Sequence, residues 1–251
     1  EDDCVHAVTA LGEYTHKAAE DFALKAGYSV YGTKHNSIGY YDMASYDFPL
    51  QAVWYGKEVT LAVPIHYNYV AVNDQRYLET AGISTVANIM LARDRMAQLQ
   101  TTFNYKDFRW PASDNDEKRD SRECLTAFGM YDFFGSSLDG YVSLRYAVNF
   151  EEADGRNWTY LGNRLTFSGA VPFARRYAWN FAADLMRQDF PKRNTVYDAR
   201  RHDNLLTISN LLSWEVIRDV ELNLQHTFTC DGASIGIYKY RKNVYSIGTR
   251  Y

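Results

Sequence analysis

The sequence predicts an all-β protein, a transmembrane antiparallel up-and-down β-barrel of about 12 strands preceded by a short helical or linker segment. Three observations support this prediction. Tyr, Phe and Trp make up 16% of the 251 residues, yet the mean hydropathy is −0.43, as expected for strands with a lipid-facing side and a wet side. Hydrophobicity alternates with a period of two from about residue 21 onward. Long and short connections also alternate along the chain.

The alternation is clearest near the end of the chain, where Leu222 and Leu224 alternate with Glu221 and Asn223. Similar segments recur throughout, and we interpret the apolar side chains as facing lipid and the polar ones as facing a lumen. The predicted strands are residues 21–34, 45–55, 58–71, 84–94, 97–109, 122–134, 138–150, 158–170, 174–188, 203–215, 218–230 and 241–251.

The predicted connections alternate in length. Outer-membrane barrels have short periplasmic turns and longer extracellular loops, and an even strand count leaves both termini on the turn side. We therefore expect a bacterial outer-membrane location, outer-membrane lipid as the surroundings, and N- and C-termini in the periplasm. The long connections are 35–44, 72–83, 110–121, 151–157, 189–202 and 231–240, and the short ones are 56–57, 95–96, 135–137, 171–173 and 216–217.

The first 20 residues show a different period. Val5, Val8, Leu11 and Tyr14 are spaced close to a helical turn. The sequence therefore predicts two parts, an N-terminal periplasmic segment over 1–20 that is a helix, a linker or a plug, and a barrel over 21–251.

Several other classes of protein are disfavoured. No window holds the roughly 18 apolar residues that a spanning helix needs. A net charge of −4 argues against a nucleic-acid partner. A soluble β-sandwich is the alternative fold, and it would hide its aromatic face instead of exposing it. Cys4, Cys124 and Cys230 are irregularly spaced, and we expect free thiols.

The final strand, Asn243 to Tyr251, alternates and ends on an aromatic residue. It resembles the C-terminal signal that the barrel-assembly machinery reads in bacterial outer-membrane proteins. The resemblance implies that Tyr245, Ile247 and Tyr251 form the signal and that this machinery is a partner.

Two segments of the last fifty residues extend this resemblance. Arg201-His202-Asp203 opens a strand, and Ser234-Ile-Gly-Ile-Tyr-Lys-Tyr-Arg241 precedes the last one. Together they resemble the closing hairpins of barrels attached to tetratricopeptide-repeat export proteins, of the surface lipoprotein assembly modifier type. Gly232-Ala233 departs from that pattern, which usually has Asn before the Ser. The resemblance implies an export or conduit role and no catalytic residues.

The polar faces of the predicted strands give a provisional lumen. Basic groups outnumber acidic ones there, which favours anionic solutes; the alternative is that inward charges pair across strands and fill a narrow barrel. The basic set is Lys25, His66, Lys106, Arg145, Arg164, Arg176 and Arg250, and the acidic set is Asp132, Asp184 and Glu221.

No catalytic, metal or cofactor site is expected. His202 beside Asp198 and Asp203, and the outward-facing His226, lack a supporting motif. Residues 113–120 are acidic but lack the Gly and distal Glu of a calcium loop. The sequon at Asn157 is interpreted as a chance match.

The leading functional prediction is therefore an outer-membrane channel or export conduit with a polar, somewhat basic lumen, for anionic solutes or as part of an export system. The alternative is a structural or anchoring barrel with a side-chain-filled lumen, whose loops bind a partner. A periplasmic or surface protein is a further candidate partner for either role.

Overall fold

The computed structural model describes residues 3–109, 112–218 and 220–250. Within these ranges the chain forms thirteen strands in one sheet, and each strand is hydrogen-bonded to the next in chain order. Consecutive strands are antiparallel. The strands are β1 (Val5–Ala19), β2 (Phe22–His35), β3 (Met43–Tyr55), β4 (Val59–Val72), β5 (Gln75–Ala92), β6 (Arg95–Phe108), β7 (Ser121–Phe134), β8 (Gly140–Ala153), β9 (Tyr160–Ala174), β10 (Tyr177–Asn194), β11 (Ala199–Ile217), β12 (Val220–Asp231) and β13 (Tyr240–Arg250).

Three single-turn 3-10 helices lie in the connections, at Gly39–Tyr41, Asn115–Glu117 and Gly236–Tyr238. Asp114 caps the second of them, because its carboxylate accepts two backbone N–H groups from that turn at 2.8 and 3.1 Å. Among the described residues, no helix has the length and apolar character needed to cross a membrane.

The segment expected to be an N-terminal helix, linker or plug is instead strand β1. It pairs antiparallel with β2 over almost its whole length. Val8 and Leu11, whose spacing suggested a helix, fall on opposite faces of this strand. The helix prediction was wrong because a short helix is marginal without a packed partner, whereas here a neighbouring strand bonds the backbone of the whole segment.

The additional strand changes the position of the N-terminal end. Val5 pairs with His35, which directly precedes connection 36–42. β1 therefore begins where its hairpin partner enters a long connection. At the other end of the sequence, Arg250 pairs with Glu221, close to the point where β12 follows β11. The expectation that both termini lie on the short-turn side assumed an even strand count and is wrong for the N-terminal strand.

The connections alternate much as expected, although several are shorter than predicted. The segment 72–83 is reduced to the turn 73–74, where Asn73 and Asp74 have positive φ values of 51° and 58°. Charged residues made this segment resemble a loop, but Arg76 pairs with Glu79 at 2.7 Å within β5. One alternating set of connections is 20–21, 56–58, 93–94, 135–139, 175–176 and 218–219, and the other is 36–42, 73–74, 109–120, 154–159, 195–198 and 232–239.

The strands have one polar, partly buried face and one apolar, exposed face. On β4, Leu61 and Ile65 are exposed, whereas Ala62 and His66 on the other face are buried or half-buried. Burying a large apolar side chain is worth about 1.5–3 kcal/mol, so the exposed face requires apolar surroundings. This arrangement is opposite to that of a soluble sandwich. The buried apolar residues are mostly small: Ala23, Val53, Ala62, Ala97, Ala127, Ala147, Phe190, Ala233 and Ile235.

The contacts within the chain divide it into two compact units. The first unit is Glu1–Ala87, Gln100–Leu125 and Glu151–Thr159. The second unit is Asn88–Leu99, Thr126–Phe150 and Tyr160–Tyr251. Strands β5, β6, β7 and β8 contribute residues to both units.

In the first unit, connection 36–42 is attached to β2 by one carboxylate. Asp42 accepts the backbone N–H of His35 at 2.7 Å and the ammonium group of Lys34. These hydrogen bonds, that of the backbone first, lower the pKa of Asp42 below its ordinary value. The charged carboxylate is therefore the form that holds the connection in place.

We expect Asp42→Asn to loosen connection 36–42 at neutral pH, because the neutral amide accepts these hydrogen bonds less strongly. A lowered folded-state pKa means that the contribution of Asp42 is present at neutral pH and is lost as the pH falls through that pKa. An NMR titration in micelles should give Asp42 a pKa below that of a free aspartate. An unshifted titration together with an equally ordered variant would contradict this expectation.

Candidate functional site

Two charged clusters lie on the polar face. The first, the acidic cluster, belongs to the first unit and consists of Lys106, Glu123, Glu151, Asn104 and Ser121. The ammonium of Lys106 lies 3.2 Å from a carboxylate oxygen of Glu123 and 2.9 Å from one of Glu151. Asn104 donates to Glu123 at 2.7 Å, and Ser121 donates to Glu151 at 2.8 Å. Two carboxylates therefore share one ammonium group.

His66, a predicted lumen residue, lies on the polar face of β4 next to Asn104. Gly82 on β5 provides the space for both side chains. A Cβ atom at Gly82 would lie 2.1 Å from Oδ1 of Asn104 and 2.4 Å from Cε1 of His66. A larger residue at this position would displace one of these two side chains.

The second group, the basic cluster, belongs to the second unit and consists of Arg145, Arg164, Thr166 and Asp184. Nε of Arg164 and the hydroxyl of Thr166 both donate to Oδ1 of Asp184, each at 2.6 Å. Arg145 lies within electrostatic range of Arg164 and Asp184. Arg164 therefore binds Asp184 directly, and Arg145 adds a second positive charge nearby; Asp184 is only 8% exposed.

Small side chains surround the basic cluster on the polar face. Gly129 faces Arg145, and a Cβ atom there would make ordinary contact, at 3.6 Å, with Cβ of Arg145. The hydroxyls of Ser143 and Ser168 are 2.8 Å apart across β8 and β9. Most of these small residues are themselves buried, so larger neighbouring side chains cover them. By strand alternation, those near the cluster are Ala127, Gly129, Ser143, Ala147, Gly162, Ser168 and Ala182.

Of the other predicted lumen residues, some lie on the polar face and others do not. Lys25 lies 3.3 Å from Glu13 of β1. Glu221 and Arg250 face each other in the register of β12 and β13. Arg176, by contrast, lies in the tight turn 175–176.

The turn position of Arg176 corrects its assignment to the lumen. Its guanidinium donates to the carbonyl of Val216 at 3.3 Å. The error arose because strand β9 continues past the predicted turn at 171–173 and ends at Ala174.

The predicted excess of basic groups also needs correction. Asp132 lies on the exposed face, where it pairs with Arg95 at 2.6 Å. Three further acidic residues, Glu13, Glu123 and Glu151, also lie on the polar face. The sequence pattern placed Glu13 in the N-terminal segment and Glu151 in a loop, and it did not include Glu123 among the lumen residues. The excess of positive charge is therefore a local property of the basic cluster.

The acidic connection 109–120 is tied to connection 154–159 in the first unit. Glu117 accepts hydrogen bonds from Nδ2 of Asn157 at 2.6 Å and from the indole of Trp158 at 3.2 Å. The guanidinium of Arg119 lies 4.0 Å from the ring centroid of Trp158. Asn157, the sequon residue, is 2% exposed. Its amide serves as a structural donor between the two connections.

The two segments that carried the family resemblance contact each other in the second unit. Arg201 bonds to Asp203, with Nε 2.8 Å from Oδ2, and its guanidinium lies 3.6 Å from the ring centroid of Tyr238. The hydroxyl of Ser234 accepts the backbone N–H of His202 at 3.0 Å. These contacts attach connection 232–239 to the start of β11. The motif therefore holds a loop in place on the strand.

The His202 rim cluster has both of its carboxylates engaged by arginines. Asp203 bonds to Arg201, and Asp198 pairs with Arg193 at 3.0 Å. His226 stacks on Tyr245 with ring centroids 4.6 Å apart. The absence of enzymatic activity stays a prediction.

On β13, Tyr245 and Ile247 of the predicted assembly signal share the apolar face and are exposed. Tyr251 lies outside the described residues. The prediction for the cysteines is confirmed, because all three are free thiols: Cys4, Cys124 and Cys230.

No protein-family model matches the chain, and the search of curated proteins finds no match. Among the solved structures it is similar to the crystal structure of OccAB3 from Acinetobacter baumannii, an outer-membrane β-barrel. The sequence identity is 10% and the TM-score 0.50, over 94% of this chain and 67% of OccAB3. This chain has the outer-membrane β-barrel fold. The predicted fold class is confirmed, with thirteen strands within the described ranges instead of about 12.

Proposed function

We propose that the protein is an outer-membrane channel for small polar solutes, with a preference for anions that the basic cluster provides. The observation that carries this proposal is a polar face on which Arg164 binds the buried carboxylate of Asp184 while a second guanidinium group, that of Arg145, lies within electrostatic range. Basic groups that line a pore favour anionic solutes, since low-dielectric walls focus their field. The half-exposed side chain of Arg164 is the part of the basic cluster that a passing solute would reach.

The exposure of the charged groups favours the basic cluster over the acidic one. The side chain of Arg164 is 44% exposed, whereas those of Glu123 and Glu151 are each 12% exposed. Both glutamates are bonded to Lys106, which compensates one of their two negative charges. A solute would therefore meet an accessible positive charge more readily than an accessible negative one.

An anion-preferring channel should lose selectivity when Arg145 is changed. We expect Arg145→Gln to remove most of the anion preference, since Asp184 then balances the one guanidinium group that remains, that of Arg164. The reversal potential in a KCl gradient across a planar bilayer measures this change. Arg176→Gln is the control, because it removes the same charge from the tight turn and should leave selectivity unchanged.

Two outcomes would count against the proposal. An unchanged reversal potential in Arg145→Gln would show that the basic cluster is not the filter. If the wild-type chain gives no conductance steps, the channel proposal fails and the structural barrel with a closed lumen becomes the better explanation.

An export role is the second proposal, and the contact between Arg201, Ser234 and Tyr238 supports it. These residues belong to the segments that resemble the export barrels, and they form one connected unit. For either role we propose that the protein performs no catalysis, lies in outer-membrane lipid, and is assembled by machinery that reads Tyr245 and Ile247. A periplasmic or surface partner belongs to the export proposal.

A further inference from the structure

Two rows of side chains cross β9, β10 and β11 on the apolar face of the second unit. The register pairs the residues of each row directly across neighbouring strands, and the rows follow each other along the strands. This face of the sheet therefore changes from apolar to polar between one row of side chains and the next along the strands. The leucine row is Leu165, Leu185 and Leu206, and the polar row is Asn163, Arg187 and Asn204.

A depression of about 310 Å³ lies over these rows, and Tyr146 of β8 forms part of its wall. The hydroxyl of Tyr146 donates to Oδ1 of Asn163 at 2.6 Å, which fixes the amide of the polar row. One step beyond the leucine row, Ala183 lies between Phe167 and Ile208. Further apolar side chains therefore continue along the same face beyond the leucine row.

Arg187 is held in position at this apolar-to-polar boundary. Its Nε and Nη2 atoms donate to Asp189 at 3.0 to 3.2 Å, yet 60% of its side chain is exposed. The bonds to Asp189 restrict the guanidinium and reduce the entropy lost when it binds a further ligand. Asp189 occupies the Nε and Nη2 side of the guanidinium and offsets part of its charge, so a phosphate oxygen would bind on the remaining Nη side.

We propose that this groove binds a phosphorylated glycolipid of the outer leaflet. Arg187 binds the phosphate, the amides of Asn163 and Asn204 on either side bind sugar hydroxyls, and the leucine row receives the first acyl chain. The proposal rests on the membrane location in the proposed function and not on conduction.

Lipid is the expected occupant because the groove opens on the face whose exposed leucines require apolar surroundings. The chemistry of the polar row separates a glycolipid from a simple phospholipid. Two amides flank the single guanidinium, at the cross-strand spacing of about 5 Å. A phosphate alone would use Arg187 and leave both amides to water, whereas a phosphorylated sugar would engage all three side chains.

The test measures binding of lipid A, a bisphosphorylated glycolipid, to the purified full chain in detergent micelles by native mass spectrometry. Phosphatidylglycerol and phosphatidylcholine serve as comparison lipids. We expect lipid A to bind in preference to both, and Arg187→Gln to weaken its binding about tenfold, as loss of a charge-assisted contact implies. The matched control is Arg95→Gln, which removes another arginine paired with an aspartate on the exposed face.

Unchanged lipid A binding in Arg187→Gln would overturn the site. Equal binding of phosphatidylglycerol, with the same sensitivity to Arg187→Gln, would overturn the assignment to a glycolipid. Conductance is recorded on the same samples, because Arg187→Gln should conduct like the wild type. A conducting chain that does not bind lipid A leaves the channel proposal intact, and a silent chain that binds it leaves the groove proposal intact.

Discussion

Replacing Asp203 by Asn is expected to lower the free energy of unfolding by about 3–5 kcal/mol, the usual effect of removing one partner of a buried ion pair. The side chains of Arg201 and Asp203 are 9% and 2% exposed. Arg201 is also enclosed by two rings, with Phe190 at 4.4 Å and Tyr238 at 3.6 Å from its guanidinium carbon. Water cannot take the place of the lost carboxylate, so the guanidinium stays buried with a weaker acceptor.

The same unit contains a matched control. Arg193 and Asp198 also form an arginine–aspartate pair, but their side chains are 61% and 87% exposed. Asp198→Asn should change stability by no more than about 0.5 kcal/mol, since exposed pairs contribute little. Urea unfolding in phospholipid vesicles, followed by tryptophan fluorescence, measures both variants. Equal effects in the two variants would mean that the enclosure of Arg201 contributes nothing to stability.

The strand pattern could be predicted from the sequence because most of the strands alternate apolar and polar residues over the greater part of their length. Leu222 and Leu224 against Glu221 and Asn223 are sufficient to assign both faces of β12. β1 could not be found in this way, because Val5 and Leu11 lie on the polar face and break the alternation. Its identity depends on hydrogen bonds to β2, which are contacts between strands and leave no mark on local periodicity.

The ends of several strands were missed for a related reason. Arg76 and Glu79, and likewise Arg201 and Asp203, are charged residues beyond the apolar part of a strand. Dense charge is typical of loops, so Arg76, Glu79 and Arg201 were placed in the predicted connections 72–83 and 189–202, whereas Asp203 was predicted to begin a strand. In the structure these charges pair with each other, and the strand ladder continues through them. Pairing of this kind depends on register and on side-chain direction.

The sequence predicted which charged residues lie on the polar face, but it did not predict which of them form ion pairs. Alternation correctly placed Arg164 and Asp184 on the polar face, and the structure shows that they bond across β9 and β10. For Lys106, its partners Glu123 and Glu151 were not recognised, since one was left out of the lumen and the other fell in a predicted loop. Register and loop boundaries together decide which charges compensate each other. The sequence therefore predicted that the whole lumen is basic, whereas the structure shows an excess of positive charge only at the basic cluster.

The assignment of the two faces leads to the second large expected effect. Leu224 and Gln225 are neighbours on β12, and both are exposed, although they lie on opposite faces of the strand. We expect Leu224→Arg to destabilise the protein in phospholipid vesicles by about 2–4 kcal/mol, the cost of a lipid-facing arginine near the bilayer midplane. Gln225→Arg should change stability by about 0.5 kcal/mol or less, because its side chain stays in a polar environment.

The contrast between these two variants separates exposure to lipid from exposure to water. In a soluble protein, an exposed leucine and an exposed glutamine tolerate arginine about equally, since neither replacement buries the charge. If the Leu224 face lies in hydrocarbon, arginine is destabilising at residue 224 and tolerated at residue 225. Urea unfolding of both variants in vesicles gives the difference directly. A difference near zero would contradict the membrane assignment of this face, and with it the channel and lipid proposals that depend on it.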